Sequence, residues 1–162
     1  MEEATARRYH RFLISELITV FVCGYLIYTV DATLGYGGDP RFMLPGVILI
    51  FALLQNCGYW LYRYLKATGR ISNVQPVLKI FGFLKKLTPV CLLSYPVYLI
   101  FMAATDFSSL SALITFFGAV IFALSLVEHI GMYYIDIKNM SRGGRKQPSE
   151  LAAELRDKGG QA

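Results

Sequence analysis

"LSALITFFGAVIFALSLVEHIGMYY", Leu110 to Tyr134, is the stretch whose reading decides the fold. It runs for 25 residues, and its only ionisable groups before the closing tyrosines are Glu128 and His129. A helix of roughly 20 apolar residues crosses a hydrocarbon core about 30 Å thick, so this segment is long enough to span a bilayer. Three more blocks reach or approach that length: Phe12–Val30, Met43–Leu65 and Leu87–Thr105. The expected spans are residues 12–30, 43–65, 87–105 and 110–135. A chain of 162 residues with 55% apolar content would ordinarily read as one soluble domain. Here the apolar residues are gathered into blocks and the charges are pushed between them. The expected fold class is an all-α membrane protein, a four-transmembrane-helix bundle.

Charge orients it. Fifteen of the sixteen lysines and arginines fall in the N-tail, from the inner end of span two (Arg63) to span three, and from Lys138 through the C-tail; the exception is Arg41. The positive-inside rule then puts both termini in the cytoplasm. The net charge of +5 is a topology signal and gives no reason to expect nucleic acid as a partner. Residues 1–11 form a basic N-tail, 12–138 the transmembrane domain and 139–162 a basic, partly flexible tail. "RRYHRFL" contains a twin arginine, and Val30–Ala32 resembles a signal cleavage site. The first block is long for a signal peptide and contains Glu16, so a retained first helix is the expectation.

Little of the chain faces outward. "DATLGYGGDPRFM" is a short glycine-rich loop, with Pro45 suited to the first turn of helix two. The inner side is larger. In "NVQPVLKIFGFLKKL", Gln75, Lys79, Gly82 and Lys86 make one polar stripe opposite Val77, Leu78, Phe81 and Leu84. This reads as an amphipathic interfacial helix over residues 76–86, between spans two and three. Arg63, Lys66, Lys79, Lys85 and Lys86 form a face for anionic headgroups or a partner protein, each lysine contributing about 1 kcal/mol on an anionic leaflet. A short helix is expected over 149–158, with Ser149 as N-cap and an apolar face of Leu151 and Leu155. Alone it is marginal and needs something to dock on. Ser111, Thr115, Gly118, Ala119 and Ala123 form a small-residue stripe for helix packing on span four.

The polar residues inside the spans are the functional candidates, because charges there are costly and face a bundle interior or a wet cavity. Counted from the predicted inner ends at 1.5 Å per residue, Glu16 lies roughly 7–8 Å deep and Glu128 and His129 roughly 6–9 Å. Asn56 lies about 10 Å deep, with Gln55 just beyond. Three helices thus place Glu16, Gln55, Asn56, Glu128 and His129 in one layer. Three roles are open to it: an interhelical hydrogen-bond layer, a proton or cation site, or a general base at the membrane surface. Cys23, Cys57 and Cys91 each sit singly in separate blocks, and HExxH, GxSxG and Walker patterns are absent. No catalytic residue, metal or cofactor is therefore expected.

"GYWLYRYLKATGR", "VLKIFGFLKKLTPV" and "SLVEHIGMYYIDIKN", in this order, resemble small four-helix integral membrane proteins of Gram-positive bacteria, in which an acidic residue and an aromatic-rich stretch end the last helix before a short basic tail. His129 after Glu128, and Gly131, depart from that pattern. The resemblance implies four helices and a bacterial plasma membrane, and no activity. The expected role is a non-enzymatic accessory or assembly subunit, bound to lipid and to another membrane protein or a second copy of itself. The alternatives are a homo-oligomeric transporter or channel using Glu16, Glu128 and His129, and, third, a membrane-surface enzyme.

Overall fold

The computed structural model describes residues 2–105, 113–135 and 148–159. Among these it contains five helices and no strand: α1 (Glu2–Leu34), α2 (Pro40–Ala67), α3 (Gln75–Thr105), α4 (Leu113–Tyr133) and α5 (Glu150–Gly159). The first four are long and apolar enough to cross a membrane.

Helix α1 starts well before the first predicted span and absorbs the N-tail. Its first turns hold few helix-breaking residues, and Glu3 lies 3.8 Å from Arg7 one turn on. Three glycines with positive φ, Gly35, Gly37 and Gly38, turn the chain back, and the Gly38 N–H donates to Asp31 Oδ1 at 3.1 Å. Helix α2 then begins at Pro40, five residues before the proline singled out from sequence. Asp39 is the reason: its side chain caps the Arg41 N–H at 2.8 Å, and Pro40 occupies the first turn. The same carboxylate meets the Arg41 guanidinium at 2.6 Å, which holds it below the usual carboxylate range. At the far end, Gly69 in the left-handed region stops α2.

Helices α1 and α2 form an antiparallel pair. Phe12 stacks on Trp60 at 4.8 Å and His10 meets Tyr64 at 5.4 Å at one end. At the other, Gly46 lies so close to Ile27 that a Cβ would come within 3.2 Å of it. Helix α2 also packs on α3 and α4, and is the most buried of the four long helices.

The predicted interfacial helix and third span are one continuous helix, α3. Pro89 and Pro96 lie within it without ending it. At 1.5 Å per residue its 31 residues reach about 46 Å, roughly eleven residues more than a hydrocarbon core needs. The surplus has the length of the segment that carries Lys79, Lys85 and Lys86. Its apolar side is covered by protein: Leu78 and Phe81 are buried with Tyr59 and Tyr62 of α2, Met132 and Tyr133 of α4, and Leu151 of α5. A second apolar cluster, built on Ile48, Leu92 and Tyr95, lies further along the bundle.

Helix α4 lies directly against the start of α2 at Gly118. A Cβ there would fall onto the Arg41 carbonyl oxygen, whose other neighbour is the Tyr95 hydroxyl, donating at 3.2 Å. Of the predicted packing stripe, Gly118 is buried and Thr115 half-buried, while Ala119 and Ala123 are on the outward side. Ser111 lies outside the described residues. The inward face is instead Ile114, Gly118, Ser125, His129 and Met132, because each step of one residue turns the helix by about 100°.

Gly118→Ala is expected to destabilise the bundle by about 1–3 kcal/mol, read as a lower unfolding midpoint in detergent, while Ala119→Leu leaves it unchanged. Equal midpoints for Gly118→Ala and the parent would contradict this close approach. Asp39→Asn should also unfold at a lower denaturant concentration at neutral pH. The carboxylate is held below its unfolded-state value, so its contribution is complete above that value and disappears as the pH falls through the folded one. The difference between Asp39→Asn and the parent should therefore shrink on acidification.

Candidate functional site

The polar residues predicted to share a layer lie between the two apolar clusters, and α2 organises them. Gln55 and Asn56 are neighbours in sequence, so their side chains leave α2 about 100° apart and meet different partners. Gln55 is buried. Its Oε1 accepts the Tyr133 hydroxyl of α4 at 2.8 Å, and its Nε2 donates to Thr88 Oγ1 of α3 at 3.0 Å. Thr88 passes its own proton back to the Leu84 carbonyl, 2.8 Å away on α3. The chain from Tyr133 through Gln55 and Thr88 thus joins three helices. Asn56 turns the other way and donates through Nδ2 to Glu128 Oε2 of α4 at 2.8 Å.

Glu16 is half-buried, and its carboxylate is within electrostatic reach of Cys57 on α2. His129 is buried and directed elsewhere than its neighbour in sequence. Its ring lies 5.1 Å from Tyr133 and 5.7 Å from Tyr134, and its Nδ1 is buried without a hydrogen-bond partner. Around this layer Gln55 meets Thr88 and Tyr133, Asn56 meets Glu128, Glu16 lies near Cys57, and His129 sits among aromatic rings. Ser125, beside this layer, donates to the Ile121 carbonyl at 2.9 Å.

About two turns beyond on α2 lies a second polar group. Arg63, at the end of α2, donates through Nη2 to the Tyr9 hydroxyl of α1 at 2.6 Å and through Nη1 to Glu154 Oε1 of α5 at 2.7 Å. Glu150 Oε2 lies 3.0 Å from Nη2, and Lys66 Nζ reaches the same Glu154 oxygen at 3.2 Å. The guanidinium also stacks on the Tyr9 ring, 4.9 Å from its centroid. Helix α5 is fixed there by Leu151, which is 1% exposed, and by Ser149. The Ser149 hydroxyl donates to the Met132 carbonyl at 2.6 Å and caps the Ala152 N–H at 3.1 Å. The docking partner that α5 needs is thus its own chain.

This divides the predicted lipid or partner face. Arg63 and Lys66 are engaged by α5. Lys85 is half-buried, with its ammonium 4.8 Å from the Tyr134 ring. Lys79 and Lys86 are exposed, on the same side of α3 as Ile80 and Phe83. Sequence reasoning did not find Thr88, Tyr133, Tyr9, Glu150 or Glu154. A usable signal existed for the last two: with Leu151 and Leu155 they make paired i, i+4 rows on one side of α5.

Among the described residues no group of histidine, cysteine and carboxylate side chains has the arrangement of a metal site. A groove of about 270 Å³ between α1 and α2, lined by Gly24, Ile27, Met43 and Gly46 with Asp31 at its rim, lies toward the opposite end from Glu128. No protein-family model matches the chain, and no curated protein or solved structure matches it.

Gln55→Leu strands the Tyr133 hydroxyl and removes the Thr88 contact. It should cost about 1–3 kcal/mol, measured by equilibrium unfolding in micelles; a change within error would show that this chain of bonds holds nothing. For Asn56→Ala and Glu128→Ala, a double-mutant cycle should return a coupling of about 0.6–1.7 kcal/mol.

Proposed function

We propose that this is a multi-pass protein of a bacterial plasma membrane, with both termini cytoplasmic, acting as a non-enzymatic accessory or assembly subunit. The observation that carries this reading is how the polar groups inside the spans are used. Gln55, Thr88 and Tyr133, and Asn56 with Glu128, are hydrogen-bonded across helices. Such bonds hold helices together in a medium that supplies no water. The exposed chemistry is concentrated at one end, where Lys79 and Lys86 flank the exposed Ile80 and Phe83. A cationic and apolar strip of that kind suits an anionic leaflet, or the border of another membrane protein. The lysine and arginine distribution supports the cytoplasmic side for that end.

A second reading has its own support. His129 Nδ1 is buried without a partner, and α1 turns Ile18, Phe21, Tyr25 and Tyr28 outward, a broad face that a second copy could cover. In that arrangement Glu16, Glu128 and His129 would border a proton or cation path between protomers.

Isolation of the tagged protein from its native membrane, followed by native mass spectrometry, separates the two. A stoichiometric different membrane protein is the expected result, and a lone homo-oligomer would favour the transport reading. Glu128→Gln, which can still accept from Asn56, should preserve partner capture, while Glu128→Leu should reduce it several-fold. Loss of pH-dependent flux in liposomes on Glu128→Gln, at unchanged oligomer size, would instead establish the second reading.

A further inference from the structure

Arg63 and Lys66 are arranged around more oxygen than any single side chain supplies. The two basic groups converge on Glu154 Oε1, at 2.7 and 3.2 Å, and Arg63 also faces Glu150 Oε2 and the Tyr9 hydroxyl. Two carboxylates from α5 are therefore needed to meet donors that one phosphate group, with several oxygens on one centre, satisfies alone. The α5 solution is also incomplete. Glu154 Oε2 is buried and has no hydrogen-bond partner, a cost carried only while α5 is docked.

Helix α5 itself has ten residues, fewer than an isolated helix needs to persist in water. It is held by Leu151, by Ser149 and by these ion pairs. The surroundings are those of a membrane border: Tyr9, Trp60 and Tyr64 crowd the same end of α1 and α2, as aromatic side chains do at headgroup level.

We infer that Arg63 and Lys66 form a binding site for the phosphate of an anionic lipid headgroup, and that α5 closes this site with Glu150 and Glu154. On a leaflet rich in such lipid, the headgroup phosphate takes the place of the two carboxylates, while Tyr9 remains against Arg63. Helix α5 is released, and its departure uncovers the aromatic surface of Tyr59, Tyr62 and Phe81. The inference rests on the reading that this end of the bundle faces the cytoplasmic leaflet, and it gives the accessory role a lipid-controlled contact surface.

Hydrogen exchange of the α5 amides tests it, on the full-length protein in nanodiscs at matched ionic strength. Protection in phosphatidylglycerol discs should fall about tenfold below that in phosphatidylcholine discs. Inorganic phosphate added to the phosphatidylcholine discs should leave protection unchanged. An equal loss with inorganic phosphate would make this a soluble-anion site and overturn the lipid assignment. Arg63→Gln should abolish the difference between the two lipids. If that variant does not fold, the Glu150→Gln, Glu154→Gln pair retains both cations; it should release α5 in phosphatidylcholine and retain more phosphatidylglycerol in native mass spectra than the parent. Protection that is the same in both lipids sinks the proposal. Partner capture is read separately, so that result would leave the accessory role standing.

Discussion

A side chain buried between membrane-spanning helices has no water to fall back on, and here that constraint falls on Gln55. A primary amide has two donor hydrogens and an acceptor oxygen, and leaving them unmet in an apolar setting costs several kcal/mol. Gln55 answers with Tyr133 on one helix and Thr88 on another. The consequence is positional. Helices α3 and α4 can slide or rotate along α2 only by breaking bonds that have no substitute nearby, whereas the apolar clusters above and below tolerate small shifts. Asn56 applies the same condition to α4 through Glu128. The apolar contacts bring the helices together, and two adjacent amides on α2 select the register.

The central position of α2 also explains the closeness at Gly118. With the polar layer fixing α4 near Glu128 and Tyr133, the remainder of α4 must run along α2 toward Arg41. Only a residue without a side chain fits beside that carbonyl. Tyr95 completes the contact from α3 by donating to the same oxygen. A spare lone pair near the start of α2 thus joins the same three helices that Gln55 joins, at the opposite end of the bundle.

How much of this was legible follows from what sequence encodes directly. The four long helices could be read because bilayer thickness sets a minimum length that short soluble helices do not meet. The meeting of Asn56 with Glu128 was approachable because both could be counted inward from charged ends. The partner of Gln55 was not, since Thr88 reads as an unremarkable member of an apolar run until α3 is known to pass unbroken through residues 86 and 87. Gly118 and Ala119 posed a different problem. Two small residues side by side point about 100° apart, and only the neighbouring helix decides which one is needed. The start of α2 turned on capping: Asp39 followed by Pro40 outweighs a proline five residues later, because it satisfies a donor as well as fixing a dihedral.

The hydrogen-bond pattern also divides the molecule by rigidity. In the middle, Gln55, Tyr133 and Thr88 are hydrogen-bonded to one another across three helices. Near α5, Tyr59 Oη and Glu154 Oε2 are buried without partners. A closed network resists exchange with competitors, because any newcomer must replace bonds already made. Unmet groups beside a short docked helix have the opposite property: a new ligand can gain contacts that the resident helix leaves unmade. Local stability follows such differences, and the less stable elements are those available for binding and release. The bundle therefore keeps its fixed geometry at Gln55 and Asn56, and its capacity to respond two to three turns away, where Arg63 and Lys66 hold a helix that satisfies them only in part.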